Sequence, residues 1–229
     1  TDRESEKRLK QIDFMNEIYQ VTDSIIITQT TALHAKALEL LQYIVFPTLA
    51  EDEILHEAHY LKHLTIFPEG QLVALDGDKV IGGTTTMRYN FDITHPAHHT
   101  FSETVAGGWL TNHEPDGEWL YGIDVSVHPD YRGRGIAKAF YEIRSKIAAD
   151  LGCKGQLTVG MLNGYYKYRD TMDIDTYYLK VKNHEIFDPT VSVQEKIGFE
   201  IVGLMKDYLN DPTCGNAGAI IVLENKFKQ

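Results

Sequence analysis

The chain has 229 residues, 43% of them hydrophobic, and its 22 Lys and Arg against 33 Asp and Glu give a net charge of −11 at pH 7. This length suffices for a proper core, and the plentiful aromatic and aliphatic residues exclude a disordered chain. The acidity argues against non-specific nucleic-acid binding, no apolar stretch is long enough to cross a bilayer, and two cysteines cannot form a disulfide framework. We therefore expect a cytoplasmic protein without nucleic-acid or membrane partners, and a mild preference for cationic small molecules.

The chain divides into a short arm and a larger unit. Residues 1–22 are mostly polar, and their apolar residues recur every three positions, which predicts an amphipathic arm or helix lying against another surface. Residues 23–229 are predicted to form one domain, because elements on both sides of residue 132 are needed for a single sheet. The arm and the apolar last strand could support a homodimer.

Hydrophobic periodicity predicts strands and helices in the first half of the chain. The expected elements are a strand at 24–28, a helix from about Thr31 to Pro47, a helix at 51–64, and a hairpin of strands at 71–75 and 80–84. A long loop is expected at 91–117. The first helix is expected to bury an apolar stripe formed by Leu33, Ala37, Leu40, Leu41 and Ile44.

The second half alternates strands with helices. We expect strands at 119–127, 156–159, 199–206 and 217–224, and a short helix at about 190–197, with irregular structure at 163–190. A longer helix, stopped by Gly152, is indicated by apolar residues at helical spacing: Ile136, Phe140, Ile143, Ile147 and Leu151. This order of elements predicts a mixed α/β sheet domain.

The most informative segment runs from Ile123 to Ala137, where a strand enters a glycine-bearing turn that opens a helix. The first turn of a helix offers free N–H groups and the positive end of the helix dipole. Gly133 and Gly135 have no side chain to keep a phosphate from the backbone, and neighbouring arginines add charge. The segment predicts an anion cradle suited to a pyrophosphate. The competing interpretation is a glycine turn that only makes a tight connection between the strand and the helix and binds no ligand.

This turn matches neither the P-loop nor the dinucleotide fingerprint. Residues Arg132–Ala137, preceded by Val125, Val127 and Pro129, instead resemble the acetyl-CoA motif of the GNAT superfamily of N-acetyltransferases. The segment Glu195–Phe199 resembles the late E-K-x-G-F signature of the same family. The resemblance covers about residues 24–224. It implies an α/β (α+β) fold with a mixed, mostly antiparallel twisted sheet of six or seven strands, flanked by helices and splayed at its central strand.

The resemblance also implies a co-substrate, acetyl-CoA, and no metal. The splayed strand would hold the pantetheine and the thioester, and the turn would hold the pyrophosphate. The residues to which the resemblance assigns cofactor binding are Val125, Ser126, Val127, Arg132, Gly133, Arg134, Gly135, Ile136 and Ala137.

The C-terminal half has a closer resemblance. Residues 163–170 and 185–194 are similar to a GNAT branch that is sometimes fused to a carbon–nitrogen hydrolase (nitrilase-like) domain. Because the GNAT resemblance takes up nearly all of the sequence, we expect a stand-alone acetyltransferase without that second domain and carry over no hydrolase activity.

Acetyl transfer to an amine needs a neutral nitrogen, whereas an alkylammonium group has a pKa near ~10.4, so a base or a water chain must remove a proton. The predicted catalytic residues are Asp124, on the central strand, and Tyr121, which occupies a position where family members often carry Glu. The competing interpretation of Asp124 is a structural carboxylate bonded to backbone amides.

The acid that protonates the CoA sulfur is an open question. Many family members place a Tyr four residues before the Gly-Phe pair, but this chain has Gln194, which cannot give up a proton at neutral pH. Tyr165, Tyr168, Tyr208 or solvent are the alternatives.

The sequence predicts an acetyl-CoA-dependent N-acetyltransferase that acts on a primary amine of a small molecule or peptide by direct attack in a ternary complex. The alternative is a non-catalytic CoA-binding regulatory or scaffold domain, which is suggested by Gln194 in place of the usual Tyr. A nucleotide-binding module is the third and least favoured interpretation.

Other polar residues are expected to have no site role. His56, His59 and His63 share a helical face, but their spacing does not fit the zinc-protease motif, so a solvated face is expected. Cys153 is expected in the core, and Cys214 could be exposed in a loop.

Overall fold

The computed structural model describes residues 18–225, so most of the arm predicted at 1–22 lies outside the described residues. One mixed sheet of eight strands runs through this part of the chain, in the order β1-β2-β3-β4-β5-β6-β8-β7. The strands are β1 (Tyr19–Gln20), β2 (Ile25–Gln29), β3 (Gln71–Asp76), β4 (Lys79–Tyr89), β5 (Trp119–Val127), β6 (Gly155–Met161), β7 (Glu200–Met205) and β8 (Gly218–Glu224). The sheet has eight strands rather than the six or seven expected, because Tyr19 and Gln20 of the predicted arm pair with β2.

Six α-helices flank the sheet in the described residues. They are α1 (Ala35–Val45), α2 (Glu57–Ile66), α3 (Phe101–Thr104), α4 (Ile136–Asp150), α5 (Ile174–Lys182) and α6 (Val191–Ile197). None of the helices between residues 18 and 225 is both long and apolar enough to cross a membrane.

The two faces of the sheet bury different helices. On one face, α4 packs its predicted apolar stripe, including Phe140 and Ile147, into a core shared with Leu72 and Ala74 of β3. On the other face, Val73 of the same strand joins a core with α1 and α2. This alternation along β3 is the two-residue period of a strand that is covered on both sides.

The strands β5 and β6 are the only parallel neighbours in the described sheet, and they pair over only part of their length. Their ladder contains three pairs and ends at Gly122 opposite Thr158. Thr158 Oγ1 donates a hydrogen bond of 2.7 Å to the Gly122 carbonyl, which closes the vertex. Beyond this pair β5 continues to Val127 and β6 to Met161 without pairing. The predicted splay at the central strand is confirmed.

A β-bulge lies at the start of this splay. In the antiparallel ladder with β4, Gly122 pairs with Thr86 and Asp124 pairs with Thr85, so Ile123 is the extra residue. An extra residue reverses the alternation of side chains that follow it. Ile123 and Asp124 therefore both face the α1 side of the sheet, whereas Val125 packs on the α4 side.

Several local predictions were wrong, and tertiary contacts explain them. The helix expected at 51–64 begins only at Glu57, after a single 3₁₀ turn at Glu51–Glu53, and the irregular segment 163–190 contains α5. In α1 the buried residues are Ala35, Leu38, Leu41 and Gln42, whereas the stripe residues Leu33, Leu40 and Ile44 are exposed. The helix meets the sheet through a face rotated from its most apolar stripe, because Gln42 bonds to Asp124 on β5.

The expected solvated histidine face is also wrong. His59 and His63 are buried: the His59 ring packs edge-on against Trp109 with ring centroids 4.5 Å apart, and His63 Nε2 lies 2.6 Å from the Gly108 carbonyl oxygen. Burial lowers the pKa of His63 to about 4. Cys214 is buried rather than exposed, which raises the pKa of its thiol to about 12.

A buried carboxylate ties the segment before α6 to the rest of the chain. Asp188 Oδ1 accepts hydrogen bonds from the backbone N–H groups of Thr190 (2.8 Å) and Val191 (2.9 Å). Its Oδ2 accepts from the Gly164 N–H (2.8 Å) and the Tyr177 hydroxyl (2.9 Å). Asp188 therefore joins α5, α6 and the segment after β6.

We predict that Asp188→Asn lowers the free energy of unfolding by about 2 to 4 kcal/mol, because a carboxamide turns a donor toward groups that are themselves donors. Urea denaturation measures the loss. The matched control is Glu185→Gln in the exposed pair with Lys180, which should leave the free energy of unfolding almost unchanged. Equal stability of the two variants would contradict the role given to Asp188.

Candidate functional site

A cleft opens on the α1 side of the sheet, over the splay. It is small, with a volume of about 50 Å³, and its walls come from α1, the segment before α2, β5, β6 and the segment after β7. Its lining residues are Gln42, Phe46, Leu49, Glu53, Leu55, Phe101, Ile123, Asp124, Val159, Met161, Tyr208 and Leu209.

The charge of this cleft is negative. Glu53 and Asp124 are the two carboxylates among the lining residues, and no Lys or Arg is among them. Burial raises the pKa of both carboxyl groups, although the backbone N–H of Asn210, 2.8 Å from Glu53 Oε2, opposes the rise at Glu53. A mainly apolar cleft whose charged groups are two carboxylates suits a ligand with an apolar body and a positive charge.

Asp124 is held by three donors. Its Oδ2 accepts from Gln42 Nε2 (2.8 Å) and from the Ser126 hydroxyl (2.9 Å), and its Oδ1 accepts from the Thr85 N–H (2.8 Å). Each of these bonds favours the ionised form, but the cost of removing the charge from water is larger, so the pKa of Asp124 is raised. An oriented carboxylate with a raised pKa, lining a cleft, has the properties of a general base.

Tyr121 lies one layer behind the cleft. It is fully buried, and its hydroxyl is 3.1 Å from that of Tyr208, which lines the cleft. Burial raises the pKa of Tyr121 well above its ordinary value and that of Tyr208 to about 12. The structure thus brings Tyr208 to the cleft and places Tyr121 as its support.

The glycine turn lies at the open end of the splay, between β5 and α4. Gly133 and Gly135 have φ values of +76° and +85°, and a Cβ at either position would meet no atom within 4 Å, so the approach to the backbone is open. The helix begins directly after them, at Ile136. Arg132 Nε donates to the Val127 carbonyl oxygen at 3.3 Å, whereas Arg134 bonds to the carbonyl oxygen of Asp130. The turn combines exposed amides with two arginines.

On the α4 side of the sheet, the splay is bordered by side chains of two elements, β5 and α4. Val125 and Val127 of β5 pack toward α4, Ser126 points the other way to Asp124, and Ile136 is buried while Ala137 packs at the edge of this core. The turn and these side chains thus lie on one face of the sheet and the cleft on the other, and between them lies the part of β5 that has no β6 partner.

Comparison with known proteins identifies the family of this chain. A model of the acetyltransferase (GNAT) family matches residues 36–167, more than half of the chain. The chain belongs to the GNAT acetyltransferase family. It is 30% identical to the uncharacterized N-acetyltransferase YkwB of Bacillus subtilis (strain 168), over 90% of this chain and 91% of that protein.

Two further comparisons extend this assignment. The chain is 37% identical to the probable hydrolase YhcX of the same bacterium over 68% of its own length, but spans only 30% of that relative. Its fold is similar to that of the GphF GNAT-like decarboxylase in complex with isobutyryl-CoA, with a TM-score of 0.69 at 20% identity, covering 86% of this chain and 98% of that one. The GNAT resemblance predicted from the sequence is confirmed.

The residues of this GNAT chain fit an acyl-CoA. The open turn at 132–135 presents amides and two arginines to a pyrophosphate, and the backbone of β5 beyond Gly122 has no β6 partner in the ladder. Unpaired backbone inside a sheet is costly unless another group pairs with it, and the amides of a pantetheine arm have the required donors and acceptors.

The GNAT position that often carries the acid differs here. Gln194 on α6 is buried, and its Nε2 donates 2.8 Å to the Tyr141 hydroxyl. Tyr165 and Tyr168, two of the alternative acids, pack against Tyr177 in a core with α5. The third alternative, Tyr208, lines the cleft on the opposite face of the sheet.

The sequence did not single out Gln42 and Glu53 as site residues. Gln42 lies about eighty residues from Asp124 in the chain, and only the packing of α1 on β5 brings them together. A polar residue beside the expected apolar stripe of α1 was the available signal. Glu53 had none, because it lies among the acidic residues of a segment predicted to be a polar helix.

The cradle is tested by Gly135→Ala with Gly77→Ala as its matched control. Both glycines have positive φ and open surroundings, but Gly77 lies in the β3–β4 turn. Each substitution should cost about 1 to 2 kcal/mol of stability, from strain in the backbone. The rise in thermal midpoint on adding CoA should be lost in Gly135→Ala and retained in Gly77→Ala. Equal protection of the two variants would contradict a cradle at Gly135.

Proposed function

We propose that this GNAT protein is an N-acetyltransferase that moves the acetyl group of acetyl-CoA to a primary amine by direct attack in a ternary complex. The observation that carries the proposal is the splay of β5 and β6, which joins an acidic cleft on one face of the sheet to an anion cradle on the other. Two substrates bound on opposite faces can meet only through this opening. No covalent enzyme intermediate is required.

The cofactor side of the site consists of the turn and the splayed strand. The amides and arginines of residues 132–137 bind the pyrophosphate, and the backbone of Val125, Ser126 and Val127 binds the pantetheine. Bound acetyl-CoA supplies an activated acetyl thioester. The donors that stabilise charge on the thioester oxygen are backbone N–H groups of the splayed strand.

The acceptor side is the acidic cleft. Asp124 takes the proton of the attacking amine, and Gln42, Ser126 and Thr85 keep its carboxylate oriented. Tyr208, supported by Tyr121, borders the path of the amine. Glu53 at the wall of the cleft attracts a positive charge on the acceptor, so the substrate class is a cationic small molecule or peptide amine.

The proposal is tested with a library of primary amines, acetyl-CoA, and a reagent that detects released CoA. Release that depends on an amine, with an acetylated product in mass spectrometry, supports the proposal. Thermal protection by CoA without turnover of any amine supports the non-catalytic alternative. Absence of any protection by CoA contradicts both.

Asp124→Asn removes the base and keeps the shape of the side chain. We predict a fall in kcat of about a hundredfold to ten-thousandfold, with the thermal protection by CoA unchanged. The matched control is Ser126→Ala, which retains the carboxylate and removes one donor to it. A donor favours the ionised form, so its loss raises the pKa of Asp124, and the acid limb of kcat/KM should move to higher pH. An Asp124→Asn variant with more than a tenth of wild-type kcat would contradict this role.

Glu53→Gln tests the preference for cations. For a diamine substrate, KM should rise roughly threefold to tenfold, and for a monoamine it should change little, because the second positive charge loses its partner. The matched control is Glu51→Gln, which removes the same charge two residues earlier in the chain. The Glu51 side chain accepts a hydrogen bond from Tyr43 and does not line the cleft. Equal effects of the two substitutions would show that only the net charge matters.

A further inference from the structure

Arg144 is a buried cation whose charge is not paired with a carboxylate of the described chain. It lies on α4, is 1% exposed, and its Nε and Nη2 have no hydrogen-bond partner among the described residues. A guanidinium group keeps its charge in proteins, and a buried charge is costly unless an anion or acceptors pair with it. The arrangement therefore indicates a ligand that supplies negative charge at this position.

The guanidinium lies at the vertex of the splay. A Cβ added to Gly122 would come within 1.8 Å of Arg144 Nη2, so the guanidinium is packed directly on Gly122, the last β5 residue that pairs with β6. The glycine is what leaves room for it. Val127, where the strand ends beside the cradle, lies five residues away, about 17 Å along the strand.

The opposite wall of the splay repeats this pattern. A Cβ added to Gly160 of β6 would lie 2.6 Å from Gln194 Oε1, which is also buried without a partner in the described chain. Arg144 and Gln194 therefore border the splay from its two strands, on the α4 side. Each has unpaired polar atoms next to a glycine, and the missing side chain of that glycine leaves room for them.

No protein carboxylate on this side neutralises Arg144 within the described chain. The charged and titratable groups that act on it are Tyr141 and Asp124. The Arg144 guanidinium carbon is 5.1 Å from the Tyr141 ring centroid, and the Tyr141 hydroxyl accepts from Gln194. Asp124 faces the other side of β5, where three donors occupy its carboxylate.

We propose that Arg144 stabilises the thiolate of CoA as it leaves, in place of an acid at position 194. This inference rests on the proposed function. The amine nitrogen forms a bond to the thioester carbon, the carbon–sulfur bond breaks, and its electron pair goes to the sulfur. The sulfur leaves as an anion paired with the guanidinium, and Asp124 receives the amine proton. Arg144 transfers no proton, and solvent protonates the thiolate after release.

The experiment measures the pKa of the CoA thiol in the binary complex by the ultraviolet absorbance of the thiolate, with the desulfo-CoA complex subtracted. The reference is the thiol pKa of free CoA, measured by the same absorbance. In the wild type we expect a value at least about one unit lower, as for thiols beside arginine. Arg144→Met should return the value to that of free CoA, and Arg144→Lys should retain part of the shift.

Two controls separate this role from a structural one. Lys146→Met removes the same charge from the exposed side of α4 and should leave the thiol pKa at its wild-type value. Arg144→Met should have a thermal midpoint without CoA at or above that of the wild type, because it removes an unpaired buried charge. If Arg144→Met fails to fold, that result overturns the view that Arg144 lacks a protein partner.

The remaining outcomes are equally decisive. A bound thiol with an unshifted pKa in the wild type, or a shift that survives Arg144→Met, overturns the inference while the proposed function stands. Succinyl-CoA bound at least tenfold more tightly than acetyl-CoA in the wild type alone, with no thiol shift, would assign Arg144 to a carboxylate on the acyl chain and also overturns it. Absence of CoA binding to the wild type contradicts the proposed function itself.

Discussion

The parting of β5 from β6 beyond the Gly122–Thr158 pair is the constraint on which the rest of the site depends. A sheet that stops pairing in its interior leaves backbone donors and acceptors without partners, a cost that a folded protein bears only where another molecule pairs with them. The Thr158 hydroxyl on the Gly122 carbonyl fixes the vertex, so the opening has a defined start. Everything assigned to the site lies along this opening or at its two faces.

The bulge at Ile123 gives the two faces different chemistry. Without an extra residue, strict alternation would turn Asp124 to the α4 side with Gly122, and the cleft would lose its base. With the bulge, Asp124 meets Gln42 of α1, while Val125 packs toward α4. One irregularity in the backbone thus separates the acidic acceptor side from the side that holds Arg144 and the anion cradle.

The sequence predicted the parts of this fold whose signals are local. The predicted strand Trp119–Val127 and the predicted helix from Ile136 agree with the structure. Their apolar periodicity and the glycine turn between them depend only on residues that are close in the sequence. The motif in that turn was enough to indicate the family. The overall charge of −11 would by itself have argued against an anion site, yet the cradle depends on local amides and arginines.

The parts that the sequence did not predict depend on contacts between distant residues. The buried face of α1 is set by Gln42 reaching Asp124, and His59 and His63 are buried because residues 108 and 109 fold over α2. Arg144 lies within a helix that the apolar pattern predicted well, but its burial follows from the absence of a side chain at Gly122, on another element. Such pairs cannot be identified from periodicity along one chain.

The most direct test of this site is a crystal structure of the protein with bound CoA. We expect the pyrophosphate on the backbone amides at residues 132–137, the pantetheine along Val125–Val127, and the sulfur in the gap beside Gly122. This expectation would be contradicted by CoA bound away from the splay, or by β5 and β6 closed upon each other with the sulfur on the protein surface.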